Sequence, residues 1–544
     1  MSQTSTSIGK ILDAVPHLRR GPGGVVGVVK DGECIGLRAW GYADLDQRIP
    51  MTTKTIFPIC SISKQMVCLA MVSLLKNPTA AMTARNEETT KQFDQELKRL
   101  LPNLDVSELK LADLYNMQSG IRDYWAMTTL WGARPDGQFS LLHDADEALK
   151  RIKSFHFQPG TEYSYSNVNF HVLGRILENV SGMSLAQLLA ERLFIPAGMT
   201  TASLNPNTYG LPLPIVGYEG TEQTGYFAAT NRIEWAGDAG IAASLEDMVA
   251  YENYLDRSLS QSESLYTESS QEQKFRDGKA AAYGYGLARF EIAGKQAIGH
   301  GGALRGFKHE RLQIPSERLS VVVMHNYETP PNVPAEYVVK QMLGFKEPKH
   351  PDLVAGGDWK GDYLDPDTQL CISVKDGDRE KPNTLGISYG PGTGEEAVTL
   401  TSEHEAASDS MKLKLEGDTL HAERLTENRT LRAARLPPLT DDDIASTVSA
   451  EYTGAYHCDE SESTFNVTGD HGTLYGSFDG FLGKGPVWLM RRIGKDVFLL
   501  GNPRGLDSTP PGDWTVVFSR KGGEKVEGCT VGCWLARIVT YVKK

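Results

Sequence analysis

The sequence predicts an α+β protein: one antiparallel sheet flanked by helices, followed by two small all-β antiparallel barrels. Three observations carry that reading. Residues 8–345 mix strand-like and helix-like stretches, with strand patterns near both ends of the segment. Beyond residue 352 the chain breaks into short β-like runs separated by turns. A weak internal repeat splits this second part into two modules of ~90 residues each.

Gly24 to Lys30 and Glu33 to Leu37 are strand-like runs around Asp31-Gly32, a pair suited to a hairpin turn. Helical patterns follow at Asp144 to Phe155 and Ser244 to Leu255, the second opening on a capping-box-like Ser244-x-x-Asp247. Leu319 to Met324 reads as a buried strand. Strands at both ends with helices between predict one sheet closed by its first and last strands. Lys346-Glu347-Pro348-Lys349-His350-Pro351 is charged, contains proline and reads as a linker. Leu370 to Val374 and the period-two run Met411 to Leu415 are strand-like, and a second break lies at Leu436 to Asp443. Trp359-x-Gly361-x-Tyr363 opens one module and Tyr452-x-Gly454-x-Tyr456 the other. The expected domains are 1–345, 352–438 and 446–544.

At 544 residues the chain exceeds one core, given ~150 residues per domain. Its apolar fraction of 40% and charged fraction of 23% are those of an ordinary soluble protein. A net charge of -13 with no long basic run argues against nucleic acid and anionic membranes as partners. No stretch nears the ~20 apolar residues of a membrane span. The start, Met1-Ser2-Gln3-Thr4, has neither a positive nor an apolar region of the kind a secretory leader needs. Seven scattered cysteines suit a reducing compartment, so a cytoplasmic location is expected. Cys529-x-x-x-Cys533 has no second cysteine or histidine pair nearby, and no His-Glu-x-x-His occurs; no metal is expected.

Ser61-Ile62-Ser63-Lys64 sits between Phe57-Pro58-Ile59-Cys60 and the apolar run Met66 to Val72. Proline is tolerated in a first helical turn, which predicts a helix from Pro58 or Ile59. Residues three apart then share a face, so Ser61 and Lys64 stand side by side. A serine hydroxyl needs an adjacent base, and a desolvated amine that loses its proton can serve. Tyr165-x-Asn167 falls on a loop before a predicted helix, Val168 to Val180. Ala297 to Ala303, with His300-Gly301-Gly302, reads as a strand end opening into a glycine-rich turn. Ser-x-x-Lys, Tyr-x-Asn and His-x-Gly in this order resemble the serine β-lactamase-like, penicillin-recognising family. Leu114 to Ile121, Ile195 to Met199 and Gly237 to Ile241 resemble further landmarks of that family. The resemblance covers residues 8–345. With the two β modules it narrows to the three-domain D-aminopeptidase branch and extends over essentially the whole chain.

The resemblance implies a β-lactamase-like catalytic domain with a helical lobe, and an acyl-enzyme mechanism with no cofactor. Ser61 would be the nucleophile. Lys64 and Tyr165 would share the base role, their pKa values lowered by mutual proximity. Which of the two takes the serine proton stays open. Asn167 would orient Lys64 or the substrate amide. The oxyanion would lie between the N–H groups of Ser61 and Ala303, with Gly301 and Gly302 letting the strand approach the substrate. His300 stands where many relatives carry a lysine that attracts a substrate carboxylate. Histidine is mostly neutral near pH 7, so substrates lacking a carboxylate beside the scissile bond are expected.

The resemblance also implies that a loop of the last module supplies a carboxylate for the substrate's α-ammonium. Residues 501–514, rich in glycine and proline, are the candidate loop. Asp507 is the first choice, Asp513 the second and Asp479 the third. The expected function is a serine hydrolase that removes an N-terminal D-residue, such as D-Ala, or Gly from peptides, amides or esters. The alternatives are an esterase, a DD-carboxypeptidase or a β-lactamase on the same scaffold, and a binding scaffold without catalysis. The expected partner is a small peptide or amino-acid amide substrate; the resemblance also implies a homodimer.

Overall fold

Residues 25–29 and 319–324 are apolar almost without interruption, which suits strands covered on both faces. In the computed structural model they pair at the centre of an antiparallel sheet. The structure describes residues 3–544 apart from 213, 262–263, 347–356, 378–382, 389–394, 446–448, 503, 509–512 and 523–524. In chain order the elements that position the site begin with α1 (Gln3–Leu18), β1 (Gly23–Lys30), β2 (Glu33–Asp44) and α2 (Ser63–Lys76). There follow α3 (Tyr124–Leu130), α4 (Asn167–Ser181) and α5 (Leu245–Leu259). The first domain ends with β3 (Leu287–Ile292), β4 (Lys295–Leu304), β5 (Phe307–Ile314), β6 (Leu319–His325) and α6 (Asn332–Met342).

The sheet order is β3-β4-β5-β6-β1-β2, with two-residue strands at each edge. Val26 lies opposite Val323, so the segment's two ends close the sheet as expected. Asp31 and Gly32 take φ of 55° and 78°, the left-handed pair that a tight hairpin demands. α1 and α6 cover one face through Leu12 and Val338. On the other face Leu245 and Met248 of α5 join a core shared with α2 and α4. Ser244 caps α5, accepting from the Asp247 N–H at 3.1 Å while Asp247 accepts from the Ser244 N–H at 2.9 Å. No helix among the described residues is long and apolar enough to cross a membrane.

Two local expectations shift. The helix expected from Pro58 begins at Ser63, because Ile56–Pro58 is drawn into a short strand against Ala242 to Ser244. The chain then turns through a 3₁₀ turn, Cys60–Ile62, with Cys60 at φ 54°. The pattern from Asp144 to Phe155 is helical only through Lys150.

The internal repeat is structural as well as textual. Tyr363 donates its hydroxyl to the Trp359 carbonyl at 2.9 Å, and Tyr456 does the same to the Tyr452 carbonyl at 2.5 Å. The intervening Gly361 and Gly454 take φ of 149° and 140°. Eight strands from Gly361–Leu364 to Arg429–Arg435 close the first barrel, and Met411–Glu416 alternates buried and exposed as its period requires. The second runs from Gly454–Cys458 to β7 (Lys525–Cys533) and β8 (Ala536–Lys543), closing where Ser463–Asp470 meets Thr473–Gly480. Of the expected linker 346–351 all but Lys346 lies outside the described residues, as does 446–448.

The second barrel docks on the helical lobe. Gly480 packs on the Trp131 backbone, and Gly132, at φ 81°, lies where a Cβ would sit 2.1 Å from the Gly483 carbonyl oxygen. Gly132→Ala therefore meets both backbone strain and a clash. Its expected cost is about 1–3 kcal/mol in chemical unfolding followed by tryptophan fluorescence; an unchanged midpoint would remove this joint from the account.

Candidate active site

Ser61 is held on the 3₁₀ turn against β4. A Cβ at Gly302 would sit 2.4 Å from the Ile59 carbonyl oxygen, so only glycine lets the strand pass this close to the Ser61 turn. One helical turn on, Lys64 is fully buried. Its Nζ lies 2.9 Å from Ser61 Oγ, 2.8 Å from Asn167 Oδ1 and 2.6 Å from the Asp238 carbonyl oxygen. Burial lowers its pKa to about 8, against the opposing pull of Asp238 and Asp123.

Asn167 opens α4, and Tyr165 precedes it on the incoming loop. The Tyr165 ring lies over Lys64 Nζ at 5.0 Å from its centroid. Burial drives this phenol well above its ordinary pKa, and Ser61 is close enough to oppose that shift. The amine is therefore lowered by burial and not by the phenol as expected, and the phenol is raised, because desolvation penalises the cation of one and the anion of the other. His300, on β4, is buried. Nδ1 lies 2.5 Å from the Gly301 carbonyl oxygen, to which it donates, and Nε2 accepts from the Tyr283 hydroxyl at 2.9 Å. Burial and the neighbouring Lys64 push its pKa down to about 3, so the ring is neutral.

Ser61, Tyr165, Asn167 and His300 line one cleft of about 410 Å³, together with Gly302, Ala303, Lys308, Glu310 and, from the second barrel, Asp507 and Leu535; Lys64 lies buried behind Ser61. The loop bearing Asp507 is tied down at several points. The Asp507 carbonyl accepts from the Arg305 N–H at 2.9 Å, and Lys308 Nζ donates to Ser508 Oγ at 3.3 Å. Arg504 Nη2 pairs with Glu219 at 2.6 Å, and Asn502 donates to Thr129 at 3.2 Å. Burial raises the Asp507 carboxyl to about 7; Asp123 adds to the rise, while Lys308 opposes it. The other two acids face elsewhere. Asp479 accepts from Asn466 at 3.1 Å, and Asp513 lies under Arg491 and Lys375.

Two buried acids complete the site and were not singled out from the sequence. Asp123 Oδ1 accepts from the Asn167 N–H at 2.6 Å and from Asn167 Nδ2 at 3.1 Å; burial raises its pKa to about 6. Asp238, whose carbonyl takes a Lys64 proton, accepts at its carboxylate from the Tyr124 hydroxyl at 2.7 Å. The available signal for Asp123 is one acid directly before the apolar Tyr124-Trp125-Ala126-Met127. Leu535, from a hairpin turn over 400 residues later, carries no signal.

Fold and site define a β-lactamase-like serine centre, and the β-lactamase family model matches residues 10–341. A second family model, D-aminopeptidase, domain B, matches residues 354–542. The chain belongs to the D-aminopeptidase family. It is 41% identical over 530 residues to a D-aminopeptidase of Brucella melitensis biotype 2, covering 97% of each chain. It is 41% identical over 538 residues to that of Cereibacter sphaeroides, covering 99% of each. The fold also matches the D-amino acid amidase from Ochrobactrum anthropi SV3 complexed with D-phenylalanine. There the TM-score is 0.50 at 19% identity, over 63% of this chain and 99% of that one.

Gly302→Ala pushes β4 off the Ser61 turn. Covalent labelling of Ser61 by an alkyl fluorophosphonate should slow roughly 100-fold at a temperature where the variant stays folded; an unslowed rate contradicts the close-approach argument.

Proposed function

We propose that the protein is a serine hydrolase that releases an N-terminal D-amino acid from peptides, amides and esters through an acyl-enzyme on Ser61. The observation that carries this is the Asp507 carboxylate, brought by the second barrel into the cleft that Ser61 lines, with Lys64 bonded behind it. A carboxylate there suits a substrate's α-ammonium. The anchored loop also closes the cleft on that side, which favours cleavage after the first residue. The D-configuration follows from the names of the relatives.

Lys64 is the better base. As a free amine it keeps two N–H bonds, which the Asn167 and Asp238 oxygens take, leaving the lone pair for the Ser61 hydroxyl. Ser61 Oγ attacks the substrate carbonyl as its proton passes to Lys64. The oxyanion is held by the N–H groups of Ser61 and Ala303. The C–N bond then breaks, and the amine leaves with a proton relayed through Tyr165, whose raised pKa keeps its hydroxyl protonated. Water next attacks the ester, and the D-amino acid departs as Ser61 recovers its proton. Neutral His300 adds no charge to attract a substrate carboxylate.

The direct test compares D- and L-alanine p-nitroanilides: the D-isomer should be cleaved and the L-isomer spared, and equal turnover of both overturns the reading. Acidity should act twice. Below about 8 Lys64 takes up a proton and stops accepting the one from Ser61; below about 7 Asp507 becomes neutral and releases the ammonium. The acid limb of kcat/KM should therefore approach a slope of two for D-alanine p-nitroanilide and one for a D-lactate ester, which has no ammonium. Equal slopes would separate Asp507 from substrate binding.

Asp507→Asn should lower kcat/KM for the anilide by about 10–100-fold, the 1.5–3 kcal/mol of a charge-assisted hydrogen bond. Hydrolysis of the D-lactate ester should be spared. Loss of both activities together would instead assign the loop a purely structural role.

A further inference from the structure

Among the described residues the first barrel lends none to the cleft, yet it grips Trp534, and the next residue, Leu535, reaches it. The turn between β7 and β8 carries Trp534 and Leu535. Around the Trp534 ring lie three guanidiniums: Arg424 at 4.9 Å and Arg429 at 5.7 Å from the first barrel, and Arg537 at 4.8 Å from the second. Each is fixed by its own carboxylate, Arg424 by Glu427, Arg429 by Asp365 and Arg537 by Glu162 of the catalytic domain. Planar cations held this way favour an aromatic face between them.

The far side of the turn meets the catalytic domain. The Leu535 carbonyl accepts from the Asp123 N–H at 3.0 Å. Arg122 donates to the carbonyls of Arg537 at 2.8 Å and Ile538 at 3.2 Å, so residues 122–123 are laced along 535–538. Asp123 in turn holds both N–H groups of Asn167. With its amide nitrogen tied there, Asn167 can present only its oxygen to Lys64.

We propose that the Trp534-Leu535 turn is a positioning element for the base: gripped by both barrels, it fixes Asp123, and through Asp123 the Asn167 amide that aims Lys64 at Ser61. This rests on the reading of Lys64 as the base. It gives the first barrel a part in the reaction although it stands outside the cleft. A loosened turn frees Asp123, lets the Asn167 amide rotate and admits water to Lys64, which raises the amine toward its ordinary pKa.

The test compares Trp534→Ala, Trp534→Phe and Arg424→Lys with the parent across pH. Two rates are read: Ser61 labelling by an alkyl fluorophosphonate, and turnover of D-alanine p-nitroanilide. Trp534→Ala should lower the plateau labelling rate and kcat roughly tenfold, with KM nearly unchanged. It should also move the labelling midpoint upward from about 8. Trp534→Phe, which keeps an aromatic face, should restore most of both, and Arg424→Lys should shift the midpoint less, in the same direction. If Trp534→Ala does not fold, the two milder variants decide. A parent midpoint near 8 with unmoved variants overturns this proposal alone, as does a rise in KM at constant kcat. A parent profile with no midpoint near 8 sinks the Lys64 reading and this proposal with it.

Discussion

An amine with no solvent around it governs this molecule. Stripping water from an ammonium costs several kcal/mol, and among the described residues no carboxylate pairs directly with Lys64 to offset that. It gives Lys64 two neutral oxygens, from Asn167 and Asp238, and a hydroxyl. Carboxylates act only at one remove, Asp123 through the Asn167 amide and Asp238 through its own backbone. A carboxylate placed directly on the amine would hold its proton and cost the site its base. The neutral shell leaves the pKa near 8, while the distant acids keep the amine from falling further. Burial that lowers the amine raises the neighbouring phenol, so one environment sorts the two groups into a proton acceptor and a proton donor.

The second constraint is geometric. Ser61 must lie beside a strand, and Gly302 is where the two backbones pass. The cleft beside that strand is walled by the catalytic domain on most sides, but the acid that suits an ammonium comes from another domain. Closing so long a connection costs little, because loop entropy grows only logarithmically with length. What the arrangement demands is that the incoming segment be held still. Its anchors, Arg504 on Glu219, Asn502 on Thr129 and the Arg305 N–H on the Asp507 carbonyl, are spread along the catalytic domain. The β7–β8 turn is pinned in the same manner, by three cations around one ring.

What the sequence disclosed follows the range of the interactions involved. Ser61 and Lys64 are legible because three residues along a helix is a local rule. The β1–β2 hairpin is legible because Asp31-Gly32 announces its own dihedral angles, and the two-barrel plan because Trp359/Tyr363 and Tyr452/Tyr456 repeat one short-range hydrogen bond. The onset of α2 differs because Pro58 obeys a strand partner, Ala242, more than 180 residues away. Asp123 and Leu535 were missed for the same reason: the bond between them spans more than 400 residues, and neither end has a distinctive neighbourhood. The choice among Asp507, Asp513 and Asp479 depended on which turn the helical lobe and β5 would accept. That is a matter of docking, which no window of sequence contains.

The charge balance of the cleft explains why a neutral ring belongs at position 300. Lys308 and three acidic side chains, Asp123, Glu310 and Asp507, already line it, and a second cation, Lys64, is buried just behind Ser61. A third cation at 300 would lie beside Lys64 in a poorly screened interior, where like charges interact strongly. It would lower the amine further, and it would draw carboxylates into a space that the proposed function gives to an ammonium. The protein instead closes both nitrogens of His300 with the Gly301 carbonyl and the Tyr283 hydroxyl. Neither nitrogen is then free to take a proton without breaking a hydrogen bond, so the imidazole stays neutral across the range in which Lys64 and Asp507 titrate. The proposed recognition of an amine and activation of a serine by an amine are thereby compatible in one cleft.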